Sequence, residues 1–348
     1  MPHLKIIGFS LMGVIKIELT PELISKMGED IVIKISCNNF ELTKGCTEQD
    51  KNVDMFDFML KISEIIRSEG RIRTSETYLT TMRSLQRFWG AKVLPISNID
   101  RSFLQEYEIF LKKSNLVNNS ISFYMRRLRA VYNRAVTENL ITDTKPFKMV
   151  YTGADKTKKR AVSLMVIKKI RKAIINDKWS DFARDMFFFS FYCRGMSFVD
   201  MSYAKKDDVK DGYLIYKRHK TGQKLKIKMR KEIEDIINKY AAYSGIYLLP
   251  IIRRIDKDER RQYLTCLSRV NLALKSIARN NNISENLTMY VARHSWASIA
   301  KNMHIPTAVI SDAMGHTSER TTQIYLNQID THEIDKANDE ILEQIFIE

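Results

Sequence analysis

Eight consecutive residues, Met186-Phe187-Phe188-Phe189-Ser190-Phe191-Tyr192-Cys193, offer almost nothing to solvent. A segment that is apolar on every side must be surrounded by other elements, so it reads as a helix through the middle of a core. Arg194-Gly195 follows at once, which sets a permanent charge at the end of a buried rod. The chain has enough material to surround such a rod. Its 348 residues suit two or three domains, and with 44% apolar and 28% charged residues it is not a disordered protein. Only 6 prolines and 12 glycines interrupt it, so the expected fold class is mainly α with a small β-hairpin or sheet.

Charge narrows the partners. Lys and Arg number 57 and Asp and Glu 41, a formal net charge of +16, which points to a polyanion: nucleic acid or an anionic membrane. The membrane alternative is weak. The best N-terminal apolar run, Ile6 to Ile15, is broken by Gly8, Ser10 and Gly13, whereas a spanning helix needs about 20 apolar residues. Lys16-Ile17-Glu18-Leu19 after the run is not a signal-peptide cleavage site. Cys37, Cys46, Cys193 and Cys266 form no CxxC pair, so neither a zinc knuckle nor a disulfide framework is indicated. Reduced thiols in a cytoplasmic protein are the expectation.

Residues 1–50 are the least legible. Ile31-Val32-Ile33-Lys34-Ile35 reads as a strand and Cys37-Asn38-Asn39-Phe40 as a turn and return. From Asp54 the apolar spacing turns helical. Phe56, Met59, Leu60, Ile62, Ile65 and Ile66 form one helix closed by Gly70. A second is expected from a Thr74-Ser75 cap to Gly90, a third over Asp100 to Lys113, and a fourth after an Asn118-Asn119-Ser120 cap. These make a compact helical domain over 51–150. The fourth helix also carries Arg126, Arg127, Arg129 and Arg134 off its apolar stripe, a candidate surface for DNA phosphates. Residues 151–163 lack a hydrophobic period and hold Lys156, Lys158, Lys159 and Arg160, a basic linker that adds to the candidate DNA-binding set.

A second domain is expected over 164–348. It opens with a helix near Ser163–Asn176 and continues with the apolar rod. Asp211-Gly212 then precedes Tyr213-Leu214-Ile215-Tyr216, and His219-Lys220-Thr221-Gly222 turns into the alternating Leu225–Met229, a hairpin. Helices are expected from about Lys231, Leu267 and Val291, and another with Pro306 in its first turn ending near Gly315.

Four segments carry the chemistry: Cys193-Arg194-Gly195-Met196-Ser197; Lys220-Thr221-Gly222; Tyr290-Val291-Ala292-Arg293-His294-Ser295; and Gly315-His316, followed nine residues after the histidine by Tyr325. Each alone is ordinary. In this order and spacing they resemble the tyrosine recombinase (phage integrase) family, over about residues 53–345. The most specific stretch runs from Arg293-His294-Ser295 through Gly315-His316-Thr317-Ser318 to Thr321-Thr322-Gln323-Ile324-Tyr325. The resemblance implies a helical core-binding domain and a mixed α/β catalytic domain that form a C-shaped clamp on duplex DNA. Residues 1–50 are shorter than a typical arm-DNA-binding domain; a remnant of one is one reading of them.

The resemblance also implies roles. Arg194 and Arg293 would neutralise the scissile phosphate, since guanidinium forks match its oxygens and stay charged. Losing such a donor typically costs about 3–4 kcal/mol of transition-state stabilisation. Tyr325 would be the nucleophile, its phenol made more acidic by nearby guanidiniums. Lys220 would protonate the leaving 5′-oxygen, and His316 would hydrogen-bond the phosphate. No Asp/Glu cluster fits a two-metal nuclease, and the bond energy is kept in the ester, so no metal, ATP or other cofactor is expected. Thr221-Gly222-Gln223-Lys224 lacks P-loop spacing.

One position departs from the family: Tyr290 stands three residues before Arg293, where a histidine is usual. A phenol can donate a hydrogen bond there but is a poor base at neutral pH. The partners implied are double-stranded DNA and further copies of the chain in a tetrameric synapse. Residues 331–348, with Ile334, Ala337, Ile341, Ile345 and Phe346 at near-helical spacing, would form a tail helix that docks in a neighbouring protomer. Such a tail argues against the alternative of a monomeric type IB topoisomerase. A non-catalytic DNA-binding protein would be expected to have lost Arg194, Arg293 or Tyr325, and all three are present.

Overall fold

The computed structural model describes residues 5–9, 15–18, 31–35, 40–44, 53–155 and 160–326. The chain divides into two compact units, Met1–Thr157 and Lys158–Glu348. Among the described residues, no helix is long and apolar enough to cross a membrane.

The first unit begins with two antiparallel pairs, β1 (Lys5–Phe9) with β2 (Ile15–Glu18) and β3 (Ile31–Ile35) with β4 (Phe40–Lys44). The strand expected over Ile31–Ile35 is present; the turn expected at 37–39 lies outside the described residues. Four helices follow: α1 (Met55–Ser68), α2 (Ile72–Trp89), α3 (Arg101–Lys113) and α4 (Asn118–Thr137). Their apolar faces meet in one core containing Met59, Leu85, Leu104, Tyr107 and Leu128.

Two of these starts follow directly from short polar side chains. Asp100 accepts from Phe103 N at 2.8 Å and starts α3. Asp54 takes Leu94 N at 2.8 Å as well as Phe56 N, so one carboxylate caps α1 and ties it to the loop after α2. Two other starts differ from expectation. The second helix begins at Ile72, ahead of the expected Thr74-Ser75 cap, because Ser75 is buried and its hydroxyl meets Ser63 Oγ at 2.8 Å across the α1–α2 contact. The fourth helix already includes Asn118 and Asn119. Their amides do not cap it; they hold Asp155 instead, through its carboxylate, its carbonyl and its N–H, at 2.8–3.0 Å.

The second unit packs around α6 (Lys178–Tyr192), in which Met186, Phe187 and Phe189 are fully buried, as the eight-residue apolar segment requires. Before it, α5 (Leu164–Lys172) is capped by Ser163 and ends sooner than expected. A short helix α7 (Phe198–Tyr203) leads to a three-stranded antiparallel sheet of β5 (Val209–Lys210), β6 (Tyr213–Lys217) and β7 (Lys224–Lys228), in that spatial order. Asp211 and Gly212 both have positive φ, the backbone of a tight hairpin turn. Then come α8 (Lys231–Tyr240), α9 (Glu259–Asn280), α10 (Met289–Asn302), α11 (Thr307–Met314) and α12 (Glu319–Leu326). Helix α9 starts eight residues before the expected Leu267, because Asp258 caps a polar first turn that carries no apolar period. Pro306 lies just outside α11 as its N-cap, and Gly315 ends that helix in the left-handed conformation.

Candidate active site

The buried rod α6 ends in Arg194 and Gly195, with φ of 58° and 73°. For arginine this is an uncommon backbone, and the chain must turn this way to leave the core. Gly195 is required by its neighbour: a Cβ there would lie 2.8 Å from Arg293 Cα. The close approach lets Arg293 Nη1 donate to Gly195 O at 2.6 Å.

Arg293, on α10, is only 5% exposed. Its Nη2 donates to Met314 O at 2.8 Å and lies 2.9 Å from His316 Nε2. These three acceptors are neutral, so they orient the guanidinium without cancelling its charge. A guanidinium has no acceptor, so His316 Nε2 accepts and the ring proton sits on Nδ1. That nitrogen lies 2.7 Å from the hydroxyl of the fully buried Thr322, to which it donates. Burial first, then the charges of Arg293, Arg218 and Lys220, pushes His316 down to about 4, so the imidazole is neutral near pH 7. A continuous chain therefore runs from Gly195 through Arg293 and His316 to α12. Tyr325 lies one turn on from Thr322 in that helix. Helix α12 is also fixed at its end, where Lys301 Nζ donates to Leu326 O at 2.9 Å.

Lys220 is exposed at the tip of the β6–β7 hairpin. The hairpin is fixed from its base: buried Asp200 accepts from His219 N at 2.7 Å and from Ser197 Oγ at 2.6 Å, and the His219 ring stacks on Tyr203. Tyr290, at the start of α10, is 44% exposed. Its ring meets His294 edge to face at 4.4 Å between centroids, and the Arg160 guanidinium lies over it at 5.8 Å. Arg160 is held nearby because Ser295 Oγ accepts from Val162 N at 2.9 Å inside the core. His294 is likewise pushed down to about 4, by burial and then by Arg160 and Arg293. The structure thus brings Gly195, the residue after Arg194, together with Arg293 and His316 through backbone and side-chain contacts, and puts Lys220 close enough to act on His316 electrostatically. Tyr290 stands at the rim with Arg160.

The candidate phosphate-binding arginines of α4 differ from one another. Arg126 is exposed, with Nε turned to Ser122 O. Arg127 lies over the Tyr78 ring, and Arg129 donates to Thr152 Oγ1 at 3.1 Å. Arg134 pairs with Glu138 at 2.8 Å. Lys156, Lys158 and Lys159 lie outside the described residues.

Sequence reasoning missed Arg218 and Thr322. Arg218 is buried, and its Nη1 donates to Gly315 O. The signal was the strand register, since alternate residues Leu214, Tyr216 and Arg218 are all buried. For Thr322, the signal was a hydroxyl one turn ahead of Tyr325.

Residues 54–153 match the model of a phage integrase SAM-like domain, and residues 165–332 match that of the phage integrase family. The fold is similar to lambda integrase in a dimer bound to a COC′ core site, with a TM-score of 0.62 and 17% identity over 81% of this chain and 80% of that one. It is also similar to the Tn1549 transposon integrase in complex with a circular intermediate DNA, with a TM-score of 0.62 and 14% identity over 83% of this chain and 100% of that one. A lambda integrase tetramer bound to a Holliday junction gives a TM-score of 0.60 and 15% identity over 81% of this chain and 82% of that one. At these identities the likeness is one of fold. No curated protein matches the chain by sequence.

Proposed function

Because the chain belongs to the phage integrase family and is a DNA-breaking and rejoining enzyme, a site-specific recombinase, we propose that it works through a 3′-phosphotyrosyl intermediate formed on Tyr325. The Tyr325 oxygen attacks the scissile phosphorus and gives its proton to water. The bond from phosphorus to the 5′-oxygen breaks, and Lys220 gives that oxygen a proton. The new ester keeps the bond energy, so a 5′-hydroxyl from the same or another strand reverses the step without ATP.

Arg293 and Arg194 stabilise the charge on the non-bridging oxygens. A preorganised donor there acts without reorganising during the reaction. His316 is the partner that keeps Arg293 aimed, accepting from it at Nε2 while its Nδ1–H donates to Thr322; its hydrogen bond to the phosphate requires the ring proton to move to Nε2 once DNA is bound. Tyr290 serves as a neutral hydrogen-bond donor at the rim. The observation that carries this reading is the run of contacts Gly195–Arg293–His316–Thr322, which links the end of the buried rod to the helix bearing Tyr325.

The first unit and the residues joining it to the second bind the duplex backbone through Arg126, Arg127, Arg129, Arg134, Lys156, Lys158, Lys159 and Arg160. Among the four arginines of α4, exposed Arg126 is the strongest candidate and Arg134, already paired with Glu138, the weakest. The chain acts in the cytoplasm as a homo-oligomer on DNA, with residues 331–348 docking in the next protomer. The dimer on a core site and the tetramer on a Holliday junction formed by lambda integrase support an oligomeric assembly.

The test is a nicked suicide duplex built from the DNA flanking the gene. The wild-type chain should form a covalent protein–DNA adduct on a denaturing gel. Tyr325→Phe should bind with near-normal affinity and form none. An adduct with the phenylalanine variant would overturn the assignment.

A further inference from the structure

Arg218 has no place in the roles above. It follows β6, is 8% exposed, and lies on the buried side of the strand register with Leu214 and Tyr216. Among the described residues it has no carboxylate partner, and a buried guanidinium without one is costly to keep. Its contact is the turn that carries His316. Nη1 donates to Gly315 O, and its Cδ would lie 3.1 Å from a Cβ placed on Gly315, which has a φ of 65°. Arg293 donates to the preceding carbonyl, Met314 O. Two guanidiniums, one from α10 and one from the hairpin, thus hold consecutive carbonyls of a single turn.

We infer that Arg218 is a positioning residue: it locks the Gly315–His316 turn to the hairpin that carries Lys220, so that His316 Nε2 stays opposite Arg293 and the two halves of the site keep one register. This rests on the reading of Arg293, His316 and Tyr325 as the recombinase site. It explains why an arginine stands where a neutral donor could reach the same carbonyl. The charged groups that face His316 include Arg293 from α10 and Arg218 and Lys220 from the hairpin, while α12 contributes the uncharged Thr322. All three charges favour the neutral imidazole, the form that accepts from Arg293. Without Arg218 the imidazole gains its proton at higher pH. Its acceptor is then lost earlier as pH falls.

The experiment uses the full chain and the nicked suicide duplex, with single-turnover adduct formation followed across pH. Arg218→Met should bind the duplex within about threefold of wild type and form adduct about tenfold more slowly, the effect of one lost hydrogen bond. The acid limb of its rate profile should move to higher pH. Arg218→Lys keeps the charge, so its limb should stay at the wild-type position while part of the rate returns. The inference is overturned if Arg218→Met cleaves at the wild-type rate, or cleaves slowly with an unmoved limb. If the methionine variant does not fold, the lysine variant decides: a displaced limb overturns the inference and a wild-type limb with a reduced rate supports it. Tyr325→Phe, run alongside, separates the two levels, since an adduct there would overturn the recombinase reading itself.

Discussion

Replacing Thr322 by valine removes one oxygen from a fully buried side chain and changes little else in shape. The His316 Nδ1–H, 2.7 Å from that oxygen, loses its acceptor. An orphaned buried donor costs about 1–3 kcal/mol. The imidazole has one escape, moving its proton to Nε2. That nitrogen is the acceptor for Arg293 Nη2, so the cost shifts to the Arg293 contact and does not disappear. Stability should therefore fall by about 1–3 kcal/mol whichever tautomer results. If the same contact holds Arg293 in place through cleavage, the rate falls by the same free energy, about fivefold to 150-fold. Urea unfolding measures the first quantity, and single-turnover adduct formation on the suicide duplex measures the second. Thr322→Ser retains the hydroxyl and should recover most of both. A valine variant as stable and as fast as wild type would refute the reasoning, because Nδ1 would then not be donating to Thr322.

Tyr290→Phe should lose no more than about tenfold in cleavage, the effect of one neutral hydrogen bond, and far less than Arg293→Ala; a loss as deep as that of Arg293→Ala would make the phenol a principal catalytic group. Arg126→Ala should flatten the dependence of log K on log salt by about 0.9, while Arg134→Ala, whose charge Glu138 already holds, should change it less; equal slopes in a salt titration would contradict the ranking. Deleting residues 331–348 should leave binding to one half-site and abolish cooperative synapsis on native gels; recombination at the full rate would reduce the tail to a local prop.

What the sequence made legible, and what it hid, has a physical pattern. Asp54, Asp100 and Ser163 could be read as helix starts because each caps its own helix. Ser75, Asn118 and Asn119 look the same in sequence but spend their polar groups on distant partners, Ser63 and Asp155, which only folding brings near. The start of α9 was hidden because Glu259-Arg260-Arg261-Gln262 has no apolar face to betray a period. The apolar rod and the hairpin were readable because each depends on local composition, whereas the four site segments, each ordinary alone, were readable only through their resemblance to the tyrosine recombinase family. That Arg293 is buried while Tyr290, one turn away, is exposed was not readable, since it depends on Gly195 letting α10 approach so closely. The buried Arg218 was within reach of the alternation in β6 but was masked by a run of basic neighbours, Lys217, His219 and Lys220, that reads as surface.

The fastening of residues 151–155 and 160–162 bears on how such a gene can be rebuilt. Tyr151 and Asn118 both donate to Asp155, Ser122 takes hold of the Gly153 carbonyl and Arg129 of the Thr152 hydroxyl, so 151–155 are secured by α4. Val162 is secured by Ser295 of α10. A crossover at the boundary between the two units, Thr157–Lys158, would pass each of these described contacts to a chimera intact. A crossover only a few residues earlier, at 150, would pair α4 with a foreign strap and leave Asn118 and Arg129 facing side chains they were not matched to. Exchange of halves between related chains therefore has a natural seam at the boundary of the two units, flanked by the contacts of two small hydroxyls and an aspartate.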